Sequence, residues 1–201
     1  DALTPAGFQA VLTETLEKEI SIYPARAWYP SSIGHPCDRY LVFDRLRWQE
    51  KRRHGATLQS IFGEGRLHQP AVYQRLEAMG FKVIRESDRP TQWKVGNGAV
   101  ISGRIDGKVI GFRSEKYVPP RLLEIKSASA WSFDKLSTVD DLRKAPEHYI
   151  RSYYAQIQLC MLLENMPLGL IVIKSKATGM LKAIPVELDL GYAEALLQRI
   201  E

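Results

Sequence analysis

Leu122-Leu123-Glu124-Ile125-Lys126 reads as the heart of a strand over 122–127, and the fold is worked out from it. In a strand, residues two apart point to the same face. Glu124 and Lys126 therefore project together, while Leu123 and Ile125 face the other way. A carboxylate and an ammonium side by side inside an apolar strand need a reason. One reading is a short ion pair on an exposed edge strand, which is worth little. The other is a pair held for its chemistry, and the choice depends on what the neighbouring segments deliver.

Just upstream, Ser102-Gly103-Arg104-Ile105-Asp106-Gly107 ends one β-like run and begins another. Residues 99–110 are expected to form a strand pair turning near Asp106-Gly107. Asp106 is then either ordinary turn chemistry or a second carboxylate delivered beside Glu124. Two facing carboxylates repel unless a cation lies between them, and an oxygen-rich site of that kind suits Mg²⁺ or Mn²⁺. Lys126 would then orient or activate an attacking water, or stabilise charge developing on a phosphate.

Further outward, residues 81–86 and 92–95 read as short strands. Residues 56–79 read as a helix that Pro70 should kink or split, with Gly80 as a stop signal. It carries Gly63-Glu64-Gly65-Arg66-Leu67-His68, where Glu64 and His68 share a face. Either could complete a metal's ligand set, or His68 could be an ordinary packed histidine. Downstream, 146–165 is a strong helix with Pro146 in its first turn. Gln156 shares a face with Tyr153 or Tyr149, and a glutamine among apolar residues should find a partner. Strands come next at 168–175 and 181–188, joined by Lys176-Ala177-Thr178-Gly179. A last helix runs from 192 to the end. Before all this come a helix at 5–20, a proline-rich loop at 23–36 and a helix at 37–49, for which Ser31 or Ser32 is the expected cap. The order predicts a mixed α/β core of mostly antiparallel strands with helices packed on a central sheet.

Composition sets the outer bounds. The chain has 201 residues, 45% apolar and 25% charged, with a net charge of +5 and a pI near 9.2. These values suit one folded domain rather than a disordered or fibrous chain. No apolar run approaches the ~18 residues of a membrane span. Asp1-Ala2-Leu3-Thr4-Pro5 has no secretory character. Cys37 and Cys160 can form neither a disulfide framework nor a four-thiolate metal site, so an intracellular, reducing setting is expected. Basic residues cluster in Lys51-Arg52-Arg53-His54, at Arg39, Arg45 and Arg47, and at Lys174, Lys176 and Lys182. They form either a solvated surface or a binding face for an anionic partner such as nucleic acid.

Taken in order, a helix with Glu and His, an Asp at a turn, Glu-x-Lys on a strand and a helix with Gln and Tyr resemble the PD-(D/E)XK nuclease superfamily over about 31–188. Within it the chain looks most similar to the RecB-like exonucleases, a group that includes CRISPR-associated RecB-like and, more distantly, phage lambda-type enzymes. The resemblance implies a restriction-endonuclease-like core over 55–190, a helical N-terminal part over 1–54 and a C-terminal helix over 191–201, all in one domain. It implies metal ligands at His68, Asp106, Glu124 and the main-chain carbonyl of Ile125. Lys126 and Gln156 would assist catalysis, with Glu64 and Tyr153 as possible additions. Arg39, Arg45 and Arg47 would line a DNA channel. Arg66 and Arg104 would either grip a phosphate bidentately or form structural salt bridges.

Three departures stand out. The glycines of the Gly-x-x-x-His motif are one residue off, Ile105 replaces the proline, and Cys160 replaces the tyrosine of Gln-x-x-x-Tyr. Tyr154-Ala155-Gln156-Ile157-Gln158 instead looks like the lambda-type version. Some relatives hold an iron–sulfur cluster, and Cys37 sits where its first ligand would be. No three further cysteines come after it, so no cluster is expected here. The implied activity is that of a Mg²⁺- or Mn²⁺-dependent deoxyribonuclease, an exonuclease in DNA processing, recombination or repair. It would be bacterial or phage-encoded and cytoplasmic, working as a homo-oligomer or with a helicase or recombinase. The alternative is a catalytically silent nucleic-acid-binding module on the same fold.

Overall fold

The computed structural model describes residues 3–86, 89–96, 98–111 and 118–200. Asp1 and Ala2 of the opening stretch, and Glu201 at the end of the last expected helix, lie outside them. The chain runs α1 (Pro5–Lys18), α2 (Pro30–Ile33), α3 (Asp38–Leu46), a 3-10 turn (Trp48–Glu50), α4 (Ala56–Ala78), β1 (Lys82–Ile84), β2 (Thr91–Val95), β3 (Ala99–Gly103), β4 (Gly107–Ile110) and β5 (Arg121–Ala128). It continues through α5 (Ala130–Lys135), α6 (Val139–Arg143), α7 (His148–Leu163), β6 (Leu168–Ser175), β7 (Leu181–Glu187) and α8 (Leu190–Gln198).

The central sheet has the order β1-β4-β5-β6-β7, which sets the Glu124 strand in its middle. β5 and β6 pair in parallel, with Glu124 beside Ile171; the other described pairs in this sheet are antiparallel. The parallel pair requires a crossover, and α5, α6 and α7 supply it. Strand alternation sorts the core into layers. Leu123 and Val172 meet Val72, Tyr73 and Leu76 of α4 on one face. Leu122, Ile171, Ile173 and Ile184 meet Phe133, Leu142, Ile150, Ile157 and Met161 on the other. Fully burying side chains of this size stabilises the fold by about 1.5–3 kcal/mol each. The result is an α/β fold with a mixed central sheet flanked by helices. No helix of the described residues is long and apolar enough to cross a membrane.

The structure corrects several expectations. Residues 99–110 are not a hairpin. β3 pairs with β2 in a separate two-stranded sheet, whereas β4 pairs with β1 and β5. Residues 104–106 carry the chain from one sheet to the other. Pro70 does not split α4, which runs through it as one helix. The proline ring is exposed, and the packing of Val72, Tyr73 and Leu76 offsets the lost hydrogen bond. The loop at 23–36 contains the single turn α2. The Ser32 hydroxyl donates to the Tyr29 carbonyl, and Cys37 occupies the N-cap of α3, so neither Ser31 nor Ser32 caps that helix. α3 stops at Leu46, short of 49. α7 begins at His148, leaving Pro146 outside, where its carbonyl accepts from Arg151. α8 begins at Leu190 rather than 192, because the Asp189 carboxylate caps it on Tyr192 N–H. α5 and α6 are helices that the sequence pattern does not announce.

Candidate active site

β5 brings Glu124 into the middle of the sheet, where it is 1% exposed. It is therefore not part of an edge-strand ion pair. Lys126 Nζ lies 2.5 Å from Glu124 Oε1 and donates to Gln156 Oε1 of α7 at 3.1 Å. The Tyr153 ring covers the same ammonium at 5.0 Å. Burial alone would push the Lys126 pKa down. Glu124 and then Asp106 more than offset this, and the net shift is upward, so the amine stays protonated.

Gly107 pairs with Leu123, and continuing that antiparallel register by one residue sets Asp106 opposite Glu124. Regular pairing of β4 begins only at Gly107, and the Asp106 side chain takes over beyond it: Oδ2 accepts the Ile125 N–H at 2.6 Å. Main-chain N–H and C=O of one strand residue point to the same edge. The Ile125 carbonyl therefore faces the edge that Asp106 occupies. From α4, Gln69 Nε2 donates to Asp106 Oδ1 at 2.8 Å and to the Tyr73 hydroxyl at 2.6 Å. The Tyr73 hydroxyl donates to the Asp106 carbonyl at 2.6 Å. Burial, and then the charge of Glu124, push Asp106 up to about 7. Burial and the nearby Asp106 push the Tyr73 phenol up to about 12, so it is a donor at any working pH.

Glu124 Oε2 is buried with no hydrogen-bond partner among the described residues. A buried carboxylate oxygen left bare beside a second acid is costly. A divalent cation bound there would remove that cost. Among the described residues no group of three or more His, Cys, Asp and Glu side chains forms a ready-made cage. The donor set is two carboxylates and a main-chain oxygen. That fits Mg²⁺, which takes one or two carboxylates and completes its shell with water and substrate phosphate.

His68, on α4, takes no part in the hydrogen bonds just described; its Nδ1 lies 3.1 Å from Lys174 Nζ. A lysine ammonium only donates, so Nδ1 accepts and the ring proton sits on Nε2. Nε2 is buried without a partner among the described residues and lies 3.9 Å from the exposed Glu64 carboxylate. Burial and Lys174 hold the His68 pKa below its usual range.

The expected DNA-contacting arginines scatter. Arg45 donates to the Arg26 carbonyl and lies over the Trp28 ring, tying residues 26–28 to α3. Arg39 lies over Phe43. Arg66 lines a cavity of about 320 Å³ with Tyr23, His54 and Phe62, whose lining includes neither Asp106 nor Glu124. Arg104 is exposed, and its charge acts on Asp106. Arg47 pairs with Glu50 and Lys51 with Asp44, which partly neutralises that basic run. Cys160, in the place of the motif's tyrosine, is buried, and burial pushes its thiol well up, so it is unreactive. Gln158, two residues past Gln156, is structural: its amide bonds the Glu187 carbonyl and the Asp189 N–H. A cavity of about 440 Å³ between α5, α6 and the start of α7 includes none of these residues. Sequence reasoning missed Gln69 and Tyr73. Their four-residue spacing on a sheet-facing helix was the available signal.

No protein-family model matches the chain, and no curated protein matches it in sequence. Solved structures do share its fold. The crystal structure of SSO0001 matches with a TM-score of 0.55 at 17% identity, over 96% of this chain and 85% of that one. An alkaline exonuclease (LHK-Exo) from Laribacter hongkongensis matches with a TM-score of 0.56 at 13% identity, over 94% of this chain and 89% of that one. The same exonuclease in complex with dAMP matches with a TM-score of 0.56 at 13% identity, over 91% and 88%. The likeness is one of fold: the chain shares the architecture of these solved structures.

Proposed function

We propose that this chain is a divalent-metal-dependent DNA nuclease of the PD-(D/E)XK superfamily, acting as an exonuclease of the RecB-like or lambda type. The observation that carries the reading is Glu124 Oε2, buried with no partner among the described residues, on a side chain that pairs with Lys126 and stands opposite Asp106 in the strand register. A fold shared with an alkaline exonuclease supports it. In this reading Asp106, Glu124 and the Ile125 carbonyl hold Mg²⁺ or Mn²⁺. Such an ion, when bound, would supply positive charge at the scissile phosphate and lower the pKa of a water.

The remaining roles belong to the side chains. Lys126, kept protonated by Glu124, acts as a cation and hydrogen-bond donor toward the developing charge on the phosphate, not as a base. Gln156 fixes its ammonium by accepting a hydrogen bond from it on Oε1. Tyr153 covers it and limits water. DNA is held through its phosphates by a chain of net charge +5, so binding weakens steeply with salt.

The test is degradation of end-labelled linear DNA in Mg²⁺, Mn²⁺ or EDTA, with closed circles as the control for ends. Linear DNA should be lost only with metal and circles spared. Lys126→Ala should lower kcat by roughly 10²–10³-fold, the usual loss for one charge-stabilising donor. Cut circles would make it an endonuclease. Binding without cutting in any metal would leave a silent binding module.

A further inference from the structure

We propose that Gln69 is the positioning residue for Asp106, with Tyr73 as its anchor. The inference rests on the reading of Asp106 and Glu124 as a cation-binding pair. Gln69 and Tyr73 stand one turn apart on α4, and both hydrogen-bond to Asp106. A primary amide has two N–H donors and a phenol has one. Gln69 gives one N–H to Asp106 Oδ1 and the other to the Tyr73 hydroxyl, at 2.8 and 2.6 Å. Tyr73 spends its proton on the Asp106 carbonyl at 2.6 Å. The three groups close a ring that grips Asp106 by side chain and main chain together.

A carboxylate otherwise turns broadly about its terminal bond. With Oδ2 tied to the Ile125 N–H and Oδ1 tied to Gln69, that rotation stops. Each oxygen keeps a further lone pair, aimed in a direction the ring has set. A carboxamide suits the task because it donates without carrying charge. A glutamate there would add a third acid, and a lysine would neutralise Asp106 in competition with the cation. The sequence places Gln-x-x-x-Tyr here, at Gln69 and Tyr73, while α7 carries Gln156 with Cys160 four residues on.

The experiment titrates Mn²⁺ alone by calorimetry into wild type, Gln69→Leu, Tyr73→Phe and Asp106→Asn. Thermal midpoints are recorded, and kcat and KM are measured on linear DNA at saturating Mn²⁺. Gln69→Leu should bind Mn²⁺ about 10–100-fold more weakly, the usual effect of removing a ligand's hydrogen-bond partner. Its kcat should fall at unchanged KM and unchanged thermal midpoint. Tyr73→Phe should move the same quantities the same way by less, and it stands in should Gln69→Leu fold poorly. Wild-type Mn²⁺ affinity and kcat in both variants would overturn the inference, while loss of Mn²⁺ in Asp106→Asn alone would leave the cation site standing. Equal uptake, or none, by wild type and Asp106→Asn would overturn the inference and the site together.

Discussion

Asp106 is a carboxyl group held where a bare carboxylate is costly, and this makes it a reporter on the site. Its folded pKa, about 7, lies above the ordinary 3.8 because of burial and the charge of Glu124. The folded state therefore binds this proton more tightly than the unfolded chain does. Its stabilising contribution is complete below about pH 4 and is lost as pH rises through about 7. In EDTA the wild-type Tm should fall across that window relative to Asp106→Asn. Each unit of pKa difference is worth about 1.4 kcal/mol, and each kcal/mol moves Tm by about 2–4 °C in a chain of this size. Mn²⁺ should restore the loss at pH 8. A wild-type profile parallel to that of Asp106→Asn would sink the argument. The residues legible in the sequence were those with charges in apolar company: Glu124, Lys126 and Asp106, together with Gln156. Gln69 and Tyr73 offered only their four-residue spacing, which does not tell whether such a pair meets water or a half-buried acid.

Among the elements, the junction of β3 and β4 matters most for the site. Gly107 opens β4 with a φ of +142°, and a Cβ there would meet the Ile84 carbonyl oxygen of β1 at 2.5 Å. Gly179 also has a positive φ, 74°, but nothing described lies within 4 Å of its would-be Cβ. Gly107→Ala should therefore lose more than the roughly 1–3 kcal/mol of backbone strain expected of Gly179→Ala. Because it displaces the residue next to Asp106, it should also lose activity, which Gly179→Ala should retain. Urea midpoints and DNA degradation check both. Equal losses would mean that β1 gives way freely. The same junction shows why the pairing here was not legible. Two short β-like runs divided by Asp-Gly carry the local signature of a hairpin, and only the distant strands β1, β2 and β5 decide otherwise. α5 and α6, at 6 and 5 residues, are too short to display a helical period. Thr138 and Asp141 form a capping box that marks the second of them. The long runs of α7, β5 and β6 were legible because their burial is continuous.

At the scale of the whole molecule, the site draws on residues far apart in sequence. Gln69, Asp106, Glu124 and Gln156 belong to four segments, and the strand that bears Glu124 is flanked by β4 and, across the α5–α7 crossover, by β6. Non-local parallel pairing is slow to form, because the loop must close before its contacts reward it. After dilution from urea, DNA degradation should return with the slowest tryptophan-fluorescence phase. Recovery in a faster phase would mean that the acids assemble without the sheet. Until the crossover closes, Gln156 of α7 is apart from Lys126 and the ammonium stays hydrated. The parallel pair thus works as a clock as well as a scaffold: Lys126 meets its α7 partner only after the sheet around it is complete.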